Sequence, residues 1–241
     1  MPEVLITGAS SGIGLALAKR YLDAGYRVHV CGRNKDKLQS VLPESEQIRH
    51  ICFDLNDKAA IFEVADKLPQ LNGIILNAGG CEYIDDAKQF DSALFERIIR
   101  VNLISVGYCL DAWLGKLNSS AFLVFVSSSA SFLPLPRAEA YGASKAGLTY
   151  LARTLDVDLA GSGIQVSVVH PGFVDTPLTQ KNDFPMPCQV TSEQAAERIF
   201  QGVEKKQFDI HFPRRFTYLL KFFGWLPHNV WRHVAAKWIK R

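Results

Sequence analysis

Apolar and polar positions follow two rhythms along this chain. Short apolar runs bounded by turn residues, centred near Val4, Val28, Ile51, Ile74, Leu123, Val166 and Ile210, fit strands buried on both faces. Longer stretches between them, such as residues 13–22 and 35–42, repeat apolar residues at helical spacing. The alternation runs without a linker through about residue 212. It predicts parallel strands joined by right-handed helical crossovers, hence a single doubly wound α/β domain with about seven strands over residues 1–212. Residues 213–241 read differently. Phe216, Leu219, Leu220 and Phe223 recur at helical spacing, and beyond the Gly224-Trp225-Leu226-Pro227 break so do Val230, Trp231, Val234, Ala235, Trp238 and Ile239. The expectation there is an extension of two amphipathic helices.

Charge sharpens this division. The net charge is +3, but Lys205 to Arg241 holds nine Lys or Arg against the single acid Asp209, so the rest of the chain is acidic on balance. Helices with aromatic residues on one side and basic residues on the other can lie on an anionic membrane. They can equally pack on the domain or on a second subunit, and this second use is the first expectation. Nucleic-acid binding is not expected, because no binding motif accompanies the basic segment. The five cysteines, Cys31, Cys52, Cys81, Cys109 and Cys188, form no Cys-x-x-Cys pair, and no histidines stand at ligand spacing. Reduced thiols and no metal site are expected. The chain enters its first strand directly, and no run approaches the ~18 uncharged apolar residues of a spanning helix. A cytoplasmic protein, with peripheral membrane contact as the variant, is the matching expectation.

Two constellations carry chemistry. After the first strand, Thr7-Gly8-Ala9-Ser10-Ser11-Gly12-Ile13-Gly14 breaks into a helix. Such a loop turns tightly, lets backbone approach a pyrophosphate and offers it a helix N-terminus. Taken alone, it is also compatible with a glycine-rich strand-to-helix turn. Further on, Tyr141 and Lys145 stand four apart on one helix face, and the run Phe122 to Val126 delivers Ser128 from the end of a strand. An ammonium beside a phenol favours the phenolate, so the three groups suit proton transfer to a carbonyl oxygen.

These motifs resemble those of the short-chain dehydrogenase/reductase family, over nearly everything from Val4 to about His211. The resemblance implies a Rossmann-type fold and a catalytic tetrad of Asn102, Ser128, Tyr141 and Lys145. Ser128 is preferred to Ser127 or Ser129 because it precedes Tyr141 by the family's thirteen residues. In this reading Gly8, Ser10, Ser11, Gly12, Ile13 and Gly14 hold the cofactor, with Asp54 and Leu55 at the adenine. Asn77, Ala78 and Gly79 steady the sheet beside it. Asn102 holds a water of the proton relay. Pro171, Gly172, Val174 and Thr176 bracket the nicotinamide end, with Tyr141 and Lys145 also touching the cofactor. The family also implies a homodimer or homotetramer.

Cofactor choice turns on the end of the second strand, Gly32-Arg33-Asn34, which has an arginine and no acid. An acid there would bind the ribose 2′-hydroxyl of NAD, whereas arginine accommodates a 2′-phosphate, so NADP(H) is expected. The segment after Pro171-Gly172, roughly residues 173–190, supplies Phe173, Leu178, Phe184, Pro185, Met186 and Pro187 as an apolar lid. The substrate expected is a lipophilic ketone or aldehyde, or the corresponding alcohol. Two other readings stay open: a dinucleotide-binding redox sensor or scaffold attached through its tail, and an NAD-dependent alcohol dehydrogenase.

Overall fold

A computed structural model describes residues 1–238. Its strands are β1 Glu3–Thr7, β2 Arg27–Gly32, β3 Ile48–Cys52, β4 Leu71–Leu76, β5 Leu117–Val126, β6 Gln165–Pro171 and β7 Asp209–Phe212. They form one parallel sheet in the order β3-β2-β1-β4-β5-β6-β7. The order reverses between β1 and β4, so the loops leaving these two strands diverge and open a crevice at their C-terminal ends.

Both faces of the sheet are apolar, as a parallel sheet between helical layers requires. Along β1 the period of two sends Val4 and Ile6 to one layer and Leu5 to the other. The first layer, with helices α1 Gly12–Asp23, α2 Lys35–Val41 and α7 Ser192–Glu204, buries Leu17, Tyr21, Val124, Ile199 and Phe200. The second, with α3 Lys58–Lys67, α5 Ser105–Trp113 and α6 Glu139–Asp158, buries Ile61, Trp113, Leu123, Phe125 and Leu148. Burying a side chain of this size contributes roughly 1.5–3 kcal/mol before entropy is counted. Gly73 in β4 is set by this packing, since a Cβ there would lie 2.1 Å from the Phe122 ring.

Helix α4, Ser92–Ile99, runs through a π-helical turn at Arg100–Ile104 into α5. The joined run Ser92–Lys116 is long and apolar enough to cross a membrane by length and composition, unlike the expectation from uncharged runs alone. It serves as a core element: Trp113 is fully buried and donates its Nε1–H to the Ile61 carbonyl at 3.1 Å.

Residues beyond β7 form α8 Arg214–Trp225 and α9 His228–Trp238. The expected apolar stripes are only partly inward. Phe216, Leu220 and Phe223 of α8 and Trp231, Val234 and Ala235 of α9 pack against Phe132, Leu133 and Leu135. Trp231 also donates to the Pro134 carbonyl at 2.6 Å. Leu219 and Val230, assigned to the same stripes, are exposed instead. The side chain of Trp238 and all of Ile239 lie outside the described residues.

Candidate active site

Four helices are capped by side chains at their first turns: Asn34 on α2, Asp57 on α3, Asp91 on α4 and Thr191 on α7. Helix α1 is not, for Ser11 makes no side-chain cap and the first turn holds no acid. Its first N–H groups and positive dipole end are therefore left without a side-chain partner just after the β1 loop, as an anion site needs. Gly8 and Gly12 carry φ of +70° and +54°, where a side chain would be strained. A Cβ on Gly14 would lie 2.3 Å from the Gly8 carbonyl oxygen, so only glycine lets helix and loop close. Thr7 Oγ1 accepts from the N–H groups of Asn77 and Ala78 at 2.9 and 3.0 Å, and Asn77 Nδ2 returns to the Thr7 carbonyl at 2.9 Å. These bonds fasten the loop after β4 to the loop after β1.

The other predicted cofactor residues gather along the same edge. Arg33, after β2, is 76% exposed at its side chain and stands 3.9 Å from Asp54, after β3. That pair is too loose and wet to hold the guanidinium, which leaves it available to a phosphate. Asp54 Oδ1 accepts from the Asn56 backbone N–H at 2.9 Å, and Leu55 packs on the core. Ile13 also packs inward, leaving Ser10 and Ser11 half-buried on the loop. At the far side, Thr176 meets the glycine loop, since a Cβ on Gly12 would come within 2.9 Å of its methyl. Gly172 N–H donates to the Phe212 carbonyl at 2.7 Å, and Val174 is buried, so Pro171, Gly172 and Val174 shape the backbone there. The cradle and the helix start without a side-chain cap fit a dinucleotide cofactor.

Ser128, Tyr141 and Lys145 come together at the C-terminal end of β5. The half-buried Tyr141 has its hydroxyl beside Ser128. Ser128 Oγ accepts from Ala130 N–H at 3.1 Å, which fixes its rotamer. Lys145 is buried, donates to the Val126 carbonyl at 2.9 Å and has Nζ 5.9 Å from the Tyr141 ring centre. Asn102 sits in the π-helical turn, 1% exposed. Its Oδ1 accepts from Gly80 N–H at 2.8 Å, while Nδ2 donates to the Gly80 carbonyl and to Ser144 Oγ, both at 2.9 Å. The side chain thus clamps the loop after β4 to α6. The π turn is what places it there, in keeping with the habit of such bulges at functional sites.

Electrostatics departs from the expectation that Lys145 lowers the tyrosine. Burial pushes Tyr141 well above its ordinary value, the nearby Cys81 adds to this, and the neighbouring Ser128 hydroxyl only partly offsets them. Burial brings Lys145 down to about 8. The ammonium is turned to the Val126 carbonyl, so it counters little of the phenol's desolvation.

Three features escaped the sequence reading. A buried polar chain backs the lysine: Ser127 Oγ donates to the Lys145 carbonyl at 2.9 Å and meets Thr149 Oγ1 at 2.8 Å. Thr149 in turn meets His170 Nε2 at 3.2 Å, and His170 Nδ1 lies 3.0 Å from Asp209, which Lys221 of α8 also binds. Burial lowers the His170 pKa despite Asp209, so the neutral ring donates at Nδ1 and accepts at Nε2, a tautomer assigned from its partners. Second, Arg137, four residues before Tyr141, bridges Asp85 and Asp183 at 2.7 and 2.9 Å. Third, Tyr83 donates to Asn182 at 3.2 Å and packs edge-on against Phe184, which packs against Phe173. The last two tie the loop after β4 to the lid. His170 beside the Pro-Gly pair was the only sequence signal for any of them, since charged loop residues carry no periodicity.

Comparison with known proteins meets this geometry from outside. The family model for short chain dehydrogenases matches residues 2–187. A benzil reductase ((S)-benzoin forming) of Saccharomyces cerevisiae is 32% identical over 213 residues, 82% of this chain and 81% of the relative. Sulfoacetaldehyde reductase 2 of Chromohalobacter salexigens is 33% identical over 186 residues, 73% of this chain and 74% of the relative. In fold, the chain is similar to a short-chain dehydrogenase from Sphingobium yanoikuyae solved with NADPH, with a TM-score of 0.77 at 24% identity over 88% of each chain. The strand order, the glycine cradle and these matches coincide, and the chain belongs to the short-chain dehydrogenase/reductase family of oxidoreductases.

Proposed function

We propose that this oxidoreductase uses NADP(H) to reduce a lipophilic ketone or aldehyde to the alcohol. What carries the reading is that half-buried Tyr141 is gathered with Ser128 and the buried Lys145 at the C-terminal end of β5. Gly8, Gly12, Gly14 and the start of α1 would hold the pyrophosphate, Arg33 the 2′-phosphate and Lys145 the nicotinamide ribose. When bound, NADPH supplies the hydride that the carbonyl carbon receives.

The chain's own residues manage the proton. Ser128 and Tyr141 direct hydroxyls at the carbonyl oxygen, and Tyr141 gives its proton to the alkoxide as it develops. Its raised pKa keeps it in the acid form throughout the neutral range, which suits reduction. Lys145, charged below about 8, is the nearby cation that would turn from the Val126 carbonyl toward the phenolate left behind until solvent restores the proton. Asn102 keeps the loop after β4 against α6 and so holds the distance between cradle and acid.

Phe173, Phe184 and Tyr83 support an apolar substrate, since they interlock where the lid meets the site. The similarity to an enzyme named for an aromatic diketone supports the same class. Exposed Ile104, Tyr150 and Val157 on the π turn and α6 form the face by which we expect the chain to pair with a second copy. The five free cysteines fit a reducing compartment, so we place the protein in the cytoplasm.

Fluorescence titration with NADPH and NADH tests the cofactor assignment. The wild type binds NADPH more tightly, and Arg33→Asp reverses the preference without moving the melting temperature. Equal binding of both cofactors by the wild type contradicts the role given to Arg33.

A further inference from the structure

The inward faces of α8 and α9 explain only half of their apolar residues. On the opposite side Tyr218, Leu219, Phe222, Trp225 and Val230 are between 44% and 83% exposed, with Trp225 the most open. At 100° per residue, Arg215, Tyr218, Leu219, Phe222 and Trp225 share one outward arc of α8, opposite Phe216, Leu220 and Phe223. Single exposed apolar residues need no explanation, but a contiguous aromatic band on one helix does.

The charge around the band narrows its partner. No Asp or Glu occurs after Asp209. Lys221 is turned inward to Asp209, whereas Arg214, Arg215, Arg232 and Lys237 are exposed. Among the described residues, no carboxylate pairs with any of these four. A second copy of the same face would bring like charges together with no acid to offset them, so self-association through this band is disfavoured. An anionic bilayer meets both demands at once, with headgroups for the arginines and the acyl boundary for Phe222, Trp225 and Leu219.

We propose that the outer face of α8 and α9 is a docking surface for anionic lipid membranes. The helices lie in the plane of the interface, with Trp225 and Phe222 inserted among the acyl chains and Arg214 and Arg215 on the headgroups. The inner face of α8 reaches the lid, where Phe216 stands 5.7 Å from Phe173. A docked molecule therefore holds its lid beside the lipid surface.

The test is flotation of the full-length protein with vesicles of phosphatidylcholine alone or with one third phosphatidylglycerol. The protein floats with the anionic vesicles and not with the neutral ones. Arg214→Glu with Arg215→Glu weakens partition at least about tenfold, and so does Phe222→Ser with Trp225→Ser. These positions are exposed, so both variants keep the melting temperature and NADPH affinity of the wild type. A blue shift of tryptophan emission on adding anionic vesicles, lost in Trp225→Phe, marks the inserted residue. Failure to float, flotation unchanged by charge reversal, or tighter binding to a single-stranded oligonucleotide than to vesicles overturns the proposal. So does conversion of a lipid-free dimer to monomer by Phe222→Ser with Trp225→Ser, because the band would then be a subunit interface.

Discussion

In the proposed mechanism Tyr141 and Lys145 divide the work of acid catalysis by burial more than by mutual attraction. Both are desolvated, which drives the phenol up and the ammonium down to about 8. The proton to be donated is therefore held firmly, while the charge that stabilises its loss is the one sensitive to alkali. With NADPH saturating, kcat/KM for the carbonyl is expected to stay level near neutrality and to decline as pH rises through about 8. A profile that rises through that range would mean that the free lysine, not the ammonium, assists the reaction. Much of this trio was legible beforehand, since spacing four apart on a helix fixes Tyr141 and Lys145 on one face. Their protonation was not, because burial depends on what surrounds α6 and no local pattern reports it.

At the level of elements, the strands and most helices could be read from rhythm, whereas the pieces that couple them could not. The π turn at Arg100–Ile104 adds no signature to a helical pattern, yet it brings Asn102 onto Gly80 and Ser144. The paired faces of α8 defeated the reading for a related reason: aromatic residues occur on both sides, so the stripe of Phe216, Leu219, Leu220 and Phe223 mixes inward and outward positions. Arg137 is the most consequential coupling residue, since it joins the start of α6 to the loop after β4 through Asp85 and to the lid through Asp183. All three side chains are largely or partly in water, so the clamp adds little to global stability. Its effect is on the lid. Arg137→Ala is expected to raise KM for the carbonyl and the NADPH dissociation rate severalfold in stopped-flow experiments, with the melting temperature nearly unchanged. An unchanged dissociation rate would show that the lid is held by its aromatic contacts alone.

For the molecule as a whole, acid is the direction of weakness. Burial lowers the pKa values of His29, His170 and His211 below the ordinary imidazole value near ~6.5. Below that pH the unfolded chain binds protons that the folded chain refuses, so stability falls as pH falls. Asp209 extends the trend: burial alone would raise it, but hydrogen bonds from His170 and Lys221 hold it well below the carboxylate range. Its stabilising contribution, which secures β7 to α8, is lost as pH drops below about 4. Melting temperatures measured from about pH 7.5 down to about pH 5 should decline steadily below ~6.5, and a constant value would mean that these histidines are already charged in the fold.

The central proposal is that Tyr141 donates the proton while the glycine cradle and Arg33 hold the dinucleotide. The most direct test follows NADPH consumption with a lipophilic ketone taken from a substrate screen, comparing the wild type with Tyr141→Phe at matched cofactor occupancy. The account predicts turnover by the wild type and a loss of about 10²- to 10⁴-fold in the variant, with NADPH affinity preserved. Comparable turnover by the two proteins would contradict it.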